Sequence, residues 1–278
     1  MKPVLLASLL AGTAMGAAPL GEPFGCGTRD LNNEERANHQ EAQAVEIAAA
    51  SAGLAARDNL IINTYVNIVA STDAKAKAIT DATIASQMQV LNDNYAPSGI
   101  SFTLQNTTRV VNATWAVDGD KTYMKKVLHR GTYADLNLYF LESLGKNLGY
   151  CYFPEANVKT GSTIWTRDGC TIRADTLPGN TGLYGLGKTA THEVGHWFGL
   201  AHTFEGGCIG PGDEIDDTPA QASASRGCPV GRDSCPDQPG LDPIHNYMDY
   251  SADSCYEEFS AGQQDRMHSM FNLLRKGV

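Results

Sequence analysis

The stretch Thr191-His192-Glu193-Val194-Gly195-His196-Trp197-Phe198-Gly199-Leu200-Ala201-His202 constrains this chain more than any other, because it spaces three imidazoles and a carboxylate as H-E-x-x-H-x-x-G-x-x-H. Residues four apart on a helix share a face, so His192 and His196 can address one metal ion. Zinc takes about four ligands in a tetrahedron and suits imidazole nitrogen. A helix that ran on would carry His202 away from the other two. Gly199 has no Cβ, can take a positive φ, and so lets the chain turn and bring His202 back. Three protein ligands leave the fourth position for water, which a catalytic zinc needs and a structural zinc lacks. Glu193, beside the first ligand, is then the base that takes a proton from the zinc-bound water and returns it to the leaving amine.

The motif resembles that of the metzincin clan of zinc endopeptidases, whose members carry a methionine turn downstream. Asn246-Tyr247-Met248-Asp249-Tyr250 supplies a methionine in that order. Thr189-Ala190-Thr191, Thr203-Phe204-Glu205-Gly206-Gly207-Cys208 and Asp242-Pro243-Ile244-His245-Asn246 resemble the pappalysin family, specifically its small secreted fungal metalloproteases. The similarity runs from about residue 60 to the C-terminus. It implies an α+β fold: a mixed twisted sheet with helices in an upper subdomain (59–199), the zinc helix, then a loop-rich, disulfide-stapled lower subdomain (200–278) ending in a helix. It further implies Met248 as an apolar floor under the metal and Tyr250 as a donor to the tetrahedral oxyanion. The edge strand near 149–153 becomes the upper rim of the cleft, where an extended peptide pairs by its backbone. The implied activity is zinc-dependent hydrolysis of peptide bonds in extracellular proteins, by a monomer.

The ends of the chain fit an exported protein. Met1-Lys2, the apolar run Val4 to Leu10 and the small residues through Ala18 read as a secretory leader (1–18), with cleavage after Gly16 or Ala18 both satisfying the small-residue rule. That run is too short to span a bilayer. A net charge of −10 and the absence of a basic cluster argue against nucleic acid or an anionic membrane as partner. Residues 30 to 58 are rich in Ala, Glu and Gln and read as a helical or loosely ordered pro-segment (19–58) without a core-facing stripe of large side chains.

Seven cysteines in an exported chain suggest disulfides. Cys208, Cys228, Cys235 and Cys255 follow the zinc helix and allow three connectivities, which spacing does not choose between. The pappalysin resemblance favours Cys208–Cys235 with Cys228–Cys255. Cys151 and Cys170 flank a turn-rich stretch between two strand-like segments and pair with each other. Cys26 is left over, in Gly25-Cys26-Gly27-Thr28. A thiolate is a strong zinc ligand, so Cys26 either fills the open fourth position and keeps the enzyme latent or is a free or intermolecularly paired thiol. The resemblance includes a Cys-Gly-Thr near the N-terminus, which suits latency.

Periodicity gives a strand at Leu60–Val69, a helix over Thr80–Tyr95, a second strand over Ile100–Leu104 and Thr108–Val111 with a kink between, and a short helix over Lys121–Gly131. Strands follow at Ala134–Leu141, Gly149–Phe153 and Cys170–Ala174. Asn106 and Asn112 open glycosylation sequons. Asp213, Asp216 and Asp217 crowd a glycine-containing loop, a density of hard oxygen that can hold Ca²⁺ as a second ion. Ser260 with Gln263 makes a capping box for a last helix whose Met267, Met270, Phe271 and Leu274 form one apolar face.

Overall fold

The computed structural model describes residues 25–53 and 58–278; the leader and its cleavage site lie outside them. A five-stranded sheet carries the fold, in the order β2-β1-β3-β5-β4, with β1 Leu60–Ala70, β2 Ile100–Val111, β3 Leu136–Leu141, β4 Gly149–Tyr150 and β5 Cys170–Arg173. The first four in that order run parallel and β4 alone runs antiparallel, against β5. β3 throughout and β1 from Val66 on are buried on both faces, while Ile61 and Asn63 at the start of β1 face solvent, and the buried residues are shared between two cores. Leu60, Ile62, Val66, Ile68, Leu136, Leu138 and Phe140 face one cluster; Val69, Tyr139 and Leu141 face the other. The first expected kink is a register shift rather than a break. β2 runs continuously, and the shift falls between Thr64 and Tyr65, opposite Leu104 and Asn106, leaving Gln105 as the extra residue.

Helix α3, Asp81–Tyr95, starts at the Thr80 cap and lays Ile84, Met88, Leu91 and Tyr95 on the larger core. Helix α4, Lys121–Leu128, stops short of the expected Gly131 and covers the smaller core with Met124 and Leu128. Two short helices, α2 (Asp73–Ala78) and α5 (Thr163–Arg167), have no counterpart in the periodicity, each being too short to show one. Helix α6, Lys188–Trp197, crosses beneath β5 and β4 and is buried from Thr189 to Trp197. Past it, regular structure among the described residues is confined to helix α7, Ala261–Met270, which opens on the Ser260/Gln263 capping box and runs into a wider π turn, Phe271–Arg275.

Disulfides hold what periodicity does not. Cys208–Cys235 and Cys228–Cys255 interleave across the loop region, each closing a separation of 27 residues, and Cys151–Cys170 ties the end of β4 to the start of β5. In a chain-entropy account each longer bridge is worth about 3–4 kcal/mol.

The N-terminal segment is a formed helix, α1 (Asn33–Ser51), with Asn32 and Glu35 in a reciprocal capping box. It docks on α7, mostly through polar groups. Arg36 pairs with Glu205 and Glu214, both at 2.8 Å. Arg266 of α7 reaches Glu46 at 2.8 Å and donates to His39 Nδ1 at 2.7 Å. The apolar face expected of α7 is therefore divided: Met267 and Phe271 enter the main core, while Met270 and Leu274 pack on Ala42 of α1.

Candidate metal centre

Helix α6 ends as its sequence requires. Gly199 takes φ +99°, its N–H donates to the His196 carbonyl at 2.8 Å, and the Leu200 N–H donates to the Gly195 carbonyl at 2.9 Å. This paired closure reverses the chain within two residues. It sets His202 Nε2 at 3.1 Å from His196 Nε2, which in turn lies 3.2 Å from His192 Nε2. All three rings are buried.

Hydrogen bonding fixes how two of these rings present themselves. His192 Nδ1–H donates to the Tyr247 carbonyl at 2.6 Å and His196 Nδ1–H to the Leu200 carbonyl at 2.7 Å, since a carbonyl can only accept. Their Nε2 atoms are thus left with lone pairs, aimed at one another. Burial holds the imidazoles neutral, His192 down to about 4 and the other two further below the ordinary histidine range. Converging lone pairs repel unless a cation lies between them. Tetrahedral zinc with Zn–N bonds of about 2.0–2.1 Å separates its nitrogens by roughly 3.3 Å, close to the spacing found. The donor set fits zinc.

Glu193, on the same helix, is fully buried, and burial pushes its carboxyl up to about 8. Its Oε2 faces Cys26 Sγ and Thr28 Oγ1, each at 3.5 Å. The Gly149 backbone of β4 lies against its side chain: a Cβ there would sit 2.5 Å from Glu193 Oε1 and 2.6 Å from its Cγ. Cys26 Sγ also lies 3.5 Å from His196 Nε2, and the thiol groups with the three histidines as one possible ligand set. Burial first, and then the Glu193 charge, raise this thiol well above its ordinary value. The backbone around it adds to the sheet edge: Gly27 N–H donates to the Gly149 carbonyl at 2.8 Å and Leu148 N–H to the Gly25 carbonyl at 2.6 Å, a parallel pairing.

Met248 lies below, fully buried, its sulphur so near helix α6 that a methyl at Gly195 would overlap it. The Tyr250 hydroxyl stands 3.2 Å from His202 Nε2, and burial, then the Cys26 and Glu193 charges, keep it protonated. The site thus gathers Cys26, His192, Glu193, His196, His202, Met248 and Tyr250. Thr28, Gly149 and Glu205 also stand in it; the resemblance covered the segments that carry them, but nothing in the sequence assigned these side chains or this backbone a place in the site.

The expected calcium loop does not converge. Asp213 is buried and accepts from Ile215 N–H and Thr218 Oγ1, Asp217 turns to Ser260 and Gly262 at the start of α7, and Asp216 faces Gln43. Among the described residues these carboxylates form no joint ligand set. Each is engaged by a different element, so density along the sequence did not become density in space. Asn106 and Asn112 lie on or just after β2, at the sheet's outer edge.

A three-histidine helix-and-turn centre with a buried glutamate beside it, under a mixed sheet edge, defines a zinc metallopeptidase of metzincin type. The profile of the M43 peptidases, described as pregnancy-associated plasma protein-A, matches residues 133–272. An extracellular metalloprotease of Pyricularia oryzae is 58% identical, covering 96% of this chain and 95% of its own. One from Colletotrichum graminicola is 54% identical, covering 97% and 98%. Mature mirolysin of Tannerella forsythia, solved with a cleaved peptide, superposes with a TM-score of 0.66 at 29% identity, over 78% of this chain and 93% of that one. The chain belongs to the M43, or pappalysin, family, and it is a zinc metallopeptidase. Among the described residues no helix is long and apolar enough to cross a membrane.

Proposed function

We propose that this is a secreted, monomeric zinc endopeptidase that cleaves extracellular proteins and is made latent. Residues 1–18 are its leader, 19–58 its pro-segment and 59–278 its catalytic domain, divided at Gly199. His192, His196 and His202 hold the ion. Bound there, zinc acts as a Lewis acid on the scissile carbonyl and acidifies water. Glu193 takes the proton of the attacking water on its carboxylate and passes it to the leaving nitrogen; a carboxyl lifted by burial is suited to both steps. The Tyr250 hydroxyl, protonated beside His202, donates to the oxyanion. Met248 supports the helix from below. Substrate pairs along β4, in the place Gly25–Gly27 now takes.

Cys26 is the latency ligand in this reading. The carrying observation is its thiol, 3.5 Å from both Glu193 and His196, on a segment that also covers the edge strand. The test is hydrolysis of quenched casein by the protein after removal of the N-terminal segment. Activity should be abolished by a zinc chelator, restored by zinc, and reduced about 10²–10⁴-fold in Glu193→Ala. A zinc-loaded, folded protein that cleaves nothing after that removal refutes the endopeptidase reading.

A further inference from the structure

The three imidazoles are not held alike. His192 and His196 each have an outer nitrogen fixed on a backbone carbonyl, at 2.6 and 2.7 Å. His202 uses Nε2 toward His196 and Tyr250, and among the described residues its other ring nitrogen makes no hydrogen bond. A buried carboxylate stands beside it. An oxygen of Glu205 lies within 4.8 Å of a ring nitrogen of His202, as does one of Asp30.

Glu205 is itself half-used. Its Oε1 accepts from Leu31 N–H at 2.9 Å and from Arg36 Nη2 at 2.8 Å, while Oε2 is buried without a hydrogen-bond partner. A buried carboxylate oxygen without a donor is costly and needs a reason. Both donors to Oε1, and Asp30 as well, belong to the N-terminal segment. When that segment goes, Glu205 loses both donors. The Glu205 N–H donates to the His202 carbonyl at 3.0 Å, so one tight turn joins the two residues and keeps the carboxylate beside the ring.

We propose that Glu205 is a positioning residue for the third metal ligand. Freed of Leu31 and Arg36, its carboxylate accepts from the outer N–H of His202, fixing the ring as carbonyls fix the other two; a docked segment withholds it. Carboxylates behind metal-bound histidines orient the ring and raise its basicity. The inference rests on the metal-centre reading above, and connects the presence of the segment to the quality of the ligand set.

The test uses the full chain with Cys26→Ala, so that no thiol competes for the ion, and follows zinc transfer to a chelator. Arg36→Ala, which removes the charged one of the two donors to Oε1 and leaves the Leu31 N–H, should slow zinc loss relative to that parent by loosening Glu205. Adding Glu205→Gln to Arg36→Ala should speed it about 10–100-fold over Arg36→Ala alone. Glu205→Gln with Arg36 intact should change it less than about threefold, because the carboxylate is already withheld. Melting curves of the metal-free proteins check the fold. Cobalt-loaded samples give a second readout, in which the ligand-field spectrum should differ between Arg36→Ala and the double variant. Equal zinc retention and identical cobalt spectra in those two overturn the proposal. If no form takes up zinc stoichiometrically, the metal-centre reading fails, and this inference fails with it.

Discussion

Gly149→Ala offers the sharpest test of how the base is placed. A Cβ at this position meets Glu193 Oε1 at 2.5 Å, Cγ at 2.6 Å and Cδ at 2.8 Å, where ordinary carbon contacts begin near 3.4 Å. The glutamate must therefore withdraw by somewhat under about 1 Å. It has no easy exit, being fully buried on a helix packed into the main core. β4 cannot yield readily either, since Gly149 pairs with Ile172 and the next residue but one is tied by the Cys151–Cys170 bridge. A displacement near 1 Å costs catalysis about 10²-fold, or roughly 2.7 kcal/mol of transition-state stabilisation. The expected result, with the segment removed, is a hundredfold fall in kcat/KM on quenched casein, carried by kcat, with zinc content unchanged. Glu193→Ala/Gly149→Ala should be no slower than Glu193→Ala, because both changes act through one carboxylate. Activity of Gly149→Ala within about threefold of wild type, or additive losses in the double variant, refutes the argument that this glycine makes room for the base.

Two further outcomes follow from the docked segment. Cys26→Ala should give an intact chain that cleaves casein before any processing, at least tenfold faster than the wild-type chain; equal residual activity in the two would show that the helix, not the thiol, blocks the cleft. The second concerns pH. Burial, and then the Arg266 charge, lower His39 from about 6.5 to about 3, so the released segment binds the proton that the docked one refuses. Docking from this group is complete above the free value and weakens as pH falls, by roughly 2 kcal/mol at pH 5, or about 30-fold. Glu205 and Asp213, raised to about 7, act in the opposite sense, so the measurement is the difference between wild type and His39→Gln. Hydrogen exchange of α1 from pH 7.5 to 5 should accelerate more in wild type; parallel profiles would count against His39.

The zinc motif was legible because its information is local. Two histidines four apart on one helical face, and a glycine that turns the chain back to a third, determine where three rings go, and neither step needs long-range contacts. The sheet was legible where strands are buried on both sides, as β3 and the second half of β1 are, because apolar and β-branched or aromatic residues dominate them. The rim was overextended: only Gly149–Tyr150 pairs, and Cys151 is held by its disulfide and by Thr28 instead. The approach of Gly149 to Glu193 joins residues distant in sequence, and no periodicity announces it. The same distance hides how the acidic loop is used, since its carboxylates, adjacent along the chain, turn to Thr218, Ser260 and Gln43.

The N-terminal helix was the least legible element, and its chemistry explains why. Its contact with α7 has little apolar content: Ala42 is its fully buried hydrophobic residue, while Glu35, Asn38 and His39 are buried polar groups. A hydrophobic stripe is what sequence reading detects, and here there is none. That composition also suits a segment made to leave. Ion pairs such as Arg36–Glu214, still partly exposed, contribute about 0–1 kcal/mol each, and burying one Leu31 adds about 1.5–3 kcal/mol. Leu31 packs on Phe153 and Ala201, and Phe153 stands edge-on to the His196 ring at 5.5 Å. In the proposed release of the segment, an apolar wall beside the three histidines would be bared at the same moment that the β4 edge and Glu205 are freed.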